Sequence, residues 1–326
     1  MCCWVVLLSW ILALTIYLAL RSYCMIHKPS KPSKCPVSVN YHFTRRCNKA
    51  CGFCFHTASS SHVESLANMK QALTLLKDAG MRKINFAGGE PFLYPEKLGQ
   101  VVDYCKETLR LESVSIVTNG SKVTERFLAR HGCNIDILAV SCDSFNESVN
   151  VAIGRGSGNQ VTKLYGIRDL CRAYGIKFKI NTVVCRLNLD EDMNPFIEEL
   201  QPFRWKCFQV LLVPGENDSE RRLRDARRFL IRDEEFAHFC DVHRRQRAFV
   251  PESNALMAKS YLILDEHLRF LDRDGREPSP SILEVGVQRA LESVYWDEKS
   301  FISRGGMYDW SRDQKSCSET HRDLDW

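Results

Sequence analysis

Between residues 37 and 215 the apolar positions along the chain switch period repeatedly. Short runs with every second residue apolar, the mark of a half-buried strand, alternate with stretches whose apolar residues recur every three or four positions, as on an amphipathic helix. VSVNYHF (37–43), KINFA (83–87), SVSIVT (113–118), IDILAVS (135–141), KFKINTVV (177–184) and CFQVLLV (207–213) read as strands. Helical stretches fill the gaps. Leu66, Met69, Leu73, Leu75 and Leu76, for example, outline one apolar face that stops at Gly80, a residue suited to closing a helix. Six strands with intervening helices predict an α/β fold of parallel βα units, curled as a partial (β/α)6 barrel. A flat doubly wound sheet would carry the same pattern.

The pattern breaks at both ends. Residues 2–20, CCWVVLLSWILALTIYLAL, carry no charge and are long enough to cross a bilayer. Arg21, Lys28, Lys31 and Lys34 follow the run and no Lys or Arg precedes it, so the positive-inside rule predicts a cytosolic domain after it. The chain thus divides into an apolar membrane-anchor helix (1–26), a Pro/Lys/Ser linker (27–36), the βα core (37–215) and a C-terminal extension (216–326). Within the extension, residues 219–247 read as a charged loop running into a surface helix, and SYLILDEHLRFLDRDGREPS as two strands about an Asp-Gly turn.

Composition adds two limits. The net charge of +5 is spread along the chain, which gives no reason to expect a direct nucleic-acid partner. Fifteen cysteines, an odd number and mostly scattered singly, read as small buried side chains in a reducing compartment rather than as a disulfide framework.

Polar residues inside the strands carry more information. Side chains two apart on a strand share a face, so Lys83 pairs with Asn85, Lys177 and Lys179 with Asn181, and Arg204 with Lys206. Charges on the inner face of a barrel cost several kcal/mol each unless compensated. A polyanionic, phosphate-bearing substrate would compensate all three strands, whereas solvent-facing edge strands would explain any one of them. Other signals fall just after strands, where α/β folds place their sites: GGEP (88–91), TNG (118–120), SCDS (141–144) and, before the following helix, GRGSG (154–158).

The first strand leads into FTRRCNKACGFCFH, which sets Cys47, Cys51 and Cys54 in a CxxxCxxC spacing. Zinc would need a fourth ligand, for which His56 is the nearest candidate. The CGFC pair imitates a redox motif but leaves Cys47 without a task. An iron-sulfur cubane held by three thiolates leaves one iron open to another ligand.

CxxxCxxC with an aromatic at Phe53, followed by GGEP, resembles the radical S-adenosylmethionine (SAM) enzymes. That resemblance implies a [4Fe-4S] cluster on Cys47, Cys51 and Cys54 and SAM on its open iron. Gly88, Gly89 and Glu90 would hold the methionine amino end, and Ser141 and Arg155 the ribose and carboxylate side. From residue 37 onward the chain also resembles the viperin family, interferon-inducible antiviral radical SAM enzymes of vertebrates, through SVNYHFTRRCNKACGFCFHTA, KINFAGGEPFLYP, SYLILDEHLRFL, RGGMYDW and the terminal LDW. Membership would imply conversion of CTP to 3′-deoxy-3′,4′-didehydro-CTP, an RNA chain terminator, by abstraction of the C4′ hydrogen and loss of the 3′-hydroxyl. It would place Lys83, Lys179, Asn181, Arg204, Lys206 and Asn40 on the substrate and Tyr261 beside the reacting ribose. It also implies attachment to the endoplasmic reticulum membrane or a lipid droplet, and delivery of the cluster by the cytosolic iron-sulfur assembly machinery at Trp326. The uncharged run at residues 2–20 departs from the amphipathic N-terminal helix of that family.

Two rival readings follow from the same residues. A radical SAM enzyme of the molybdenum-cofactor type needs a second cluster near the C-terminus, where Cys207, Cys240 and Cys317 stand isolated. A membrane-anchored scaffold acting only by protein binding would have no physical need of the cysteines, Glu90 or the basic strand face.

Overall fold

A computed structural model describes residues 34–213, 216–218, 222–272, 274–303 and 306–312. The chain divides into two units, Met1–Lys34 and Cys35–Trp326. The run expected to anchor the protein and the terminal Trp326 lie outside the described residues, among which no helix is long and apolar enough to cross a membrane.

Eight strands form one parallel sheet: β1 (Ser38–His42), β2 (Lys83–Ala87), β3 (Ser113–Thr118), β4 (Ile137–Ser141), β5 (Lys177–Val184), β6 (Arg204–Gln209), β7 (Phe249–Glu252) and β8 (Ile263–Leu264). Their spatial order is β7-β6-β5-β4-β3-β2-β1-β8. Strands β1 to β6 therefore lie in chain order, as successive βα units require. The extension then adds one strand to each edge, β7 beside β6 and β8 beside β1, so the sheet has eight strands where the pattern of the core predicts six. The sixth strand starts at Arg204 rather than at residue 207, and the predicted pair of strands after Ser260 is reduced to two-residue β8 and an isolated antiparallel bridge from Leu264 to Phe270.

The helices that matter for the site are α1 (Leu66–Asp78), α2 (Pro95–Asp103), α3 (Glu125–His131), α4 (Glu147–Ile153), α5 (Gln160–Ala173), α6 (Asn194–Leu200) and α7 (Asp233–His243). Helix α1 starts where the Ser65 side chain accepts a hydrogen bond from Asn68 N, and ends at Gly80 with φ +100°. Its buried face is Met69, Ala72, Leu73 and Leu76, with Leu66 and Leu75 half-buried at its margins.

The apolar core lies between the helices and the outward face of the sheet, where Ile84, Phe86, Val114, Ile116, Leu138, Val140 and Ile180 are fully buried. Each such side chain contributes about 1.5–3 kcal/mol through removal from water. The other face of the strands encloses a cavity of about 420 Å³, largely apolar in lining with a set of inward-facing polar and basic side chains, which is within the usual range for a small-molecule site.

Candidate active site

The cysteine loop is held by backbone packing from two neighbours. Gly89 N donates to Thr44 O at 2.7 Å and Glu90 N to Arg46 O at 2.8 Å. The approach is close enough that a Cβ on Gly89 would sit 1.9 Å from Arg46 O, so only glycine fits there. On the other side Ala50 N donates to Gly154 O at 3.0 Å and Gly52 N to Ile153 O at 2.9 Å, where Gly154 closes α4 in a left-handed conformation. The GGEP and GRGSG signals are thus the two jaws that position the thiols. Arg45, just before Cys47, ties the loop to the extension through Glu266 at 2.9 Å and Glu216 at 2.8 Å.

Cys47, Cys51 and Cys54 all line the cavity. Burial raises the pKa of each thiol, that of Cys54 to about 12, and the positive charge of Arg155 acts against burial at all three. Thiols in such surroundings ionise when bound iron supplies positive charge. No group of three His, Cys, Asp or Glu side chains among the described residues is placed to hold a single metal ion. His56, the candidate fourth zinc ligand, is buried with its ring edge-on to that of His42 and lines the same cavity. Three thiols lining one cavity fit a cluster in which each binds a different iron.

Next to the loop, Gly88, Gly89, Asn119, Ser141, Asp143 and Arg155 line the cavity. Arg155 Nε donates to Asp143 Oδ2 at 2.5 Å, and its guanidinium lies 6.0 Å from the centre of the Phe53 ring. Glu90 departs from expectation. Its carboxylate is fully buried behind the wall, accepting from Thr118 Oγ1 at 2.6 Å, Asn119 N at 2.7 Å and Phe92 N at 3.0 Å. Its side chain is a tie between β2 and β3 and does not line the cavity. Burial raises its pKa, and these donors oppose the rise.

Deeper in, strand register brings the basic residues together as parity predicts. Lys179 pairs with Arg204 and Asn181 with Lys206 across β5 and β6, while Ser38 pairs with Lys83 across β1 and β2. Asn40, Lys83, Lys179, Asn181, Lys206 and Tyr261 all line the cavity. Burial pushes Lys179 well below the ordinary lysine pKa, and the charges of Lys206 and Lys83 push the same way. Among the described residues Asn181 Oδ1 is buried without a hydrogen-bond partner, and Asn85 Nδ2 donates to Asn40 Oδ1 at 3.1 Å.

Three charges are offset by the protein itself, which narrows the role left for an anion. Lys206 is bonded to Glu252, and it donates to Tyr261 Oη at 2.9 Å. Tyr261 Oη in turn donates to Glu252 Oε2 at 2.5 Å. Lys177 pairs with Asp309 at 3.2 Å, away from the cavity. Arg204, expected on the substrate, does not line the cavity, because the ring of Tyr308 lies 4.0 Å over its guanidinium. Asn119, Asp143 and Tyr308 fall within the TNG, SCDS and RGGMYDW segments but were not singled out as site residues, and Glu252, which reaches the site through Lys206, lies outside every segment the sequence reading marked.

A curled parallel half-barrel with three thiols at its mouth and glycine-built walls defines the radical SAM class. The Radical SAM superfamily profile matches residues 41–200. In fold the chain is similar to Streptococcus suis SuiB bound to S-adenosylmethionine, with a TM-score of 0.60 at 17% identity over 83% of this chain and 67% of that one. It is also similar to anSMEcpe with bound AdoMet, with a TM-score of 0.58 at 14% identity over 79% and 77%. Among sequences, the S-adenosylmethionine-dependent nucleotide dehydratase RSAD2 of Oncorhynchus mykiss is 53% identical over 87% of this chain and 83% of its own length. That of Danio rerio is 52% identical over 86% and 80%, and a dehydratase of Flammeovirga pacifica is 36% identical over 84% and 96%. The chain belongs to the S-adenosylmethionine-dependent nucleotide dehydratases, the viperin family of radical SAM enzymes. Its cofactors are SAM and a [4Fe-4S] cluster, for which Cys47, Cys51 and Cys54 are the candidate ligands.

Proposed function

We propose that this enzyme takes CTP as substrate and yields 3′-deoxy-3′,4′-didehydro-CTP, a terminator of viral RNA synthesis, in interferon-induced antiviral defence. The observation that carries the choice of a triphosphate is the convergence of Lys83, Lys179 and Lys206 on one inner strand face below the cysteine loop. Lys179 has cations on both sides, and a bound polyanion would return it to its charged form.

A [4Fe-4S] cluster held by Cys47, Cys51 and Cys54 would supply the electron for reductive cleavage of SAM, and with it the means to remove the C4′ hydrogen of the substrate. The protein's part is to hold, orient and exclude water. Gly88 and Gly89, packed against the Thr44 and Arg46 carbonyls of the cysteine loop, line the methionine end, and Ser141 and Arg155 face the ribose and carboxylate side. Asn40 and Asn181 present amide groups to the sugar. Tyr261, anchored by Lys206 and Glu252, stands beside the ribose, and its hydrogen-bonded hydroxyl fixes the ring. Lys83, Lys179 and Lys206 take the phosphates.

Residues 1–26 attach the enzyme to the cytosolic face of the endoplasmic reticulum or to a lipid droplet, a reading supported by the uncharged run and the Lys and Arg after it. Trp326 is the contact for the cytosolic iron-sulfur assembly machinery.

The test is an anaerobic assay of the cluster-reconstituted full-length chain with dithionite and SAM, offering CTP, UTP, GTP and ATP separately. 5′-Deoxyadenosine is followed together with nucleotide mass. Deoxyadenosine formed with CTP alone, with CTP losing the mass of water, is the expected result. A cluster that forms while no triphosphate stimulates SAM cleavage would overturn the assignment and favour a protein-binding scaffold.

A further inference from the structure

The floor of the cavity comes from the far end of the described chain. Residues Gly306–Arg312 run beneath the N-terminal ends of the strands and are tied there at three points. Ser113 Oγ donates to Trp310 O at 2.9 Å, Lys177 pairs with Asp309 at 3.2 Å, and Arg312 N donates to Asp136 Oδ1 at 3.0 Å. Immediately before these ties Tyr308 turns inward and lines the cavity. Its hydroxyl lies 2.9 Å from Lys83 Nζ, its ring centre 4.8 Å from the same ammonium, and its ring 4.0 Å over Arg204.

We propose that Tyr308 is a specificity-determining residue that sets the depth of the anion site and thereby selects a triphosphate over a diphosphate. The inference rests on the nucleoside-triphosphate reading above. The sugar must lie near the cysteine loop, at the opposite end of the strands from Tyr308, so the number of phosphates decides how deep the ligand reaches. Tyr308 acts on the two deepest cations in different ways. It holds Lys83 by a hydrogen bond and a cation–π contact, which keeps this flexible ammonium from swinging upward to a shorter chain. It covers Arg204, which keeps a long guanidinium from extending into the cavity and gripping a diphosphate. With both restrained at the floor, only a ligand long enough to reach Lys83 gains its charge.

Two variants of the cluster-reconstituted full-length chain separate these actions. Tyr308→Leu keeps apolar packing against Phe203 and Trp310, its ring neighbours, but removes the contacts of Tyr308 to both cations, while the Trp310 ring stays 5.2 Å from Lys83. Tyr308→Phe keeps the cover over Arg204 and loses the bond to Lys83. The measurements are kcat and KM for CTP and for CDP, with calorimetric binding of inorganic tripolyphosphate and pyrophosphate. In Tyr308→Leu the ratio of kcat/KM for CTP over CDP is expected to fall by about tenfold, chiefly through KM, as for loss of one charged hydrogen bond. The preference for tripolyphosphate over pyrophosphate should fall in parallel, and Tyr308→Phe should lie between wild type and Leu. An unchanged ratio in Tyr308→Leu, or equal losses for CTP and CDP, would overturn the proposal. If the wild type turns over no nucleotide yet prefers tripolyphosphate in a Tyr308-dependent way, the substrate reading fails and the gauge stands. If CTP is turned over and the ratio ignores Tyr308, the gauge alone fails.

Discussion

Glu252→Gln removes a charge from the site and almost no volume. Lys206 is 6% exposed and Glu252 1%, so the change leaves an ammonium in the cavity wall without its carboxylate partner. Breaking a buried ion pair from one side typically costs about 3–5 kcal/mol. A loss of about 3–5 kcal/mol is therefore expected. In a domain of this size that lowers the unfolding midpoint by roughly 6–20 °C. Thermal melts followed by circular dichroism, with and without CTP, check it. If the substrate's phosphates face Lys206, CTP replaces part of the lost negative charge and raises the midpoint of the variant more than that of the wild type. A loss below about 1 kcal/mol would refute the buried-pair argument. Equal stabilisation of both proteins by CTP would remove Lys206 from the anion site.

Other substitutions probe the remaining walls. Gly89→Ala puts a methyl group against the Arg46 carbonyl, and should both destabilise the fold by about 2 kcal/mol or more and lower the iron retained after reconstitution, read by iron and sulfide analysis. Cys51→Ala should lose the iron-sulfur absorbance and SAM cleavage, while the apoprotein still folds with a loss of about 1 kcal/mol, since the substitution removes one buried sulfur from the core. Lys179 has its folded pKa depressed, so between that value and 10.5 the unfolded chain holds more protons and stability rises with pH. Lys179→Met should flatten that rise in a denaturation series. Because a triphosphate recharges Lys179, binding should take up a proton and weaken as pH climbs through the same window, which calorimetry in buffers of different ionisation enthalpy would detect.

Local pattern determined much of this protein. Strand parity alone put Lys83, Lys179, Asn181 and Lys206 on one face, because the side-chain period of a strand is two whatever it packs against. The spacing of Cys47, Cys51 and Cys54 and the glycines at 88, 89 and 154 were legible for a similar reason: they answer to close-range backbone geometry, and Gly89 against Arg46 O shows how little room that leaves. The tertiary structure decided which charges meet an anion and which meet the protein. Nothing near Lys177 in the chain announces Asp309, and nothing near Lys206 announces Glu252, since each pair joins residues distant in sequence through sheet register and the path of the extension. Glu90 could be read as a site residue from its motif, but its three donors come partly from β3 and the loop after it, and they turn it into a structural tie. Arg204 has the right parity and is still covered, because Tyr308 arrives beneath it from 104 positions further along the chain. Periodicity describes which face a side chain occupies. What lies opposite that face is set by long-range packing, which only the folded chain records.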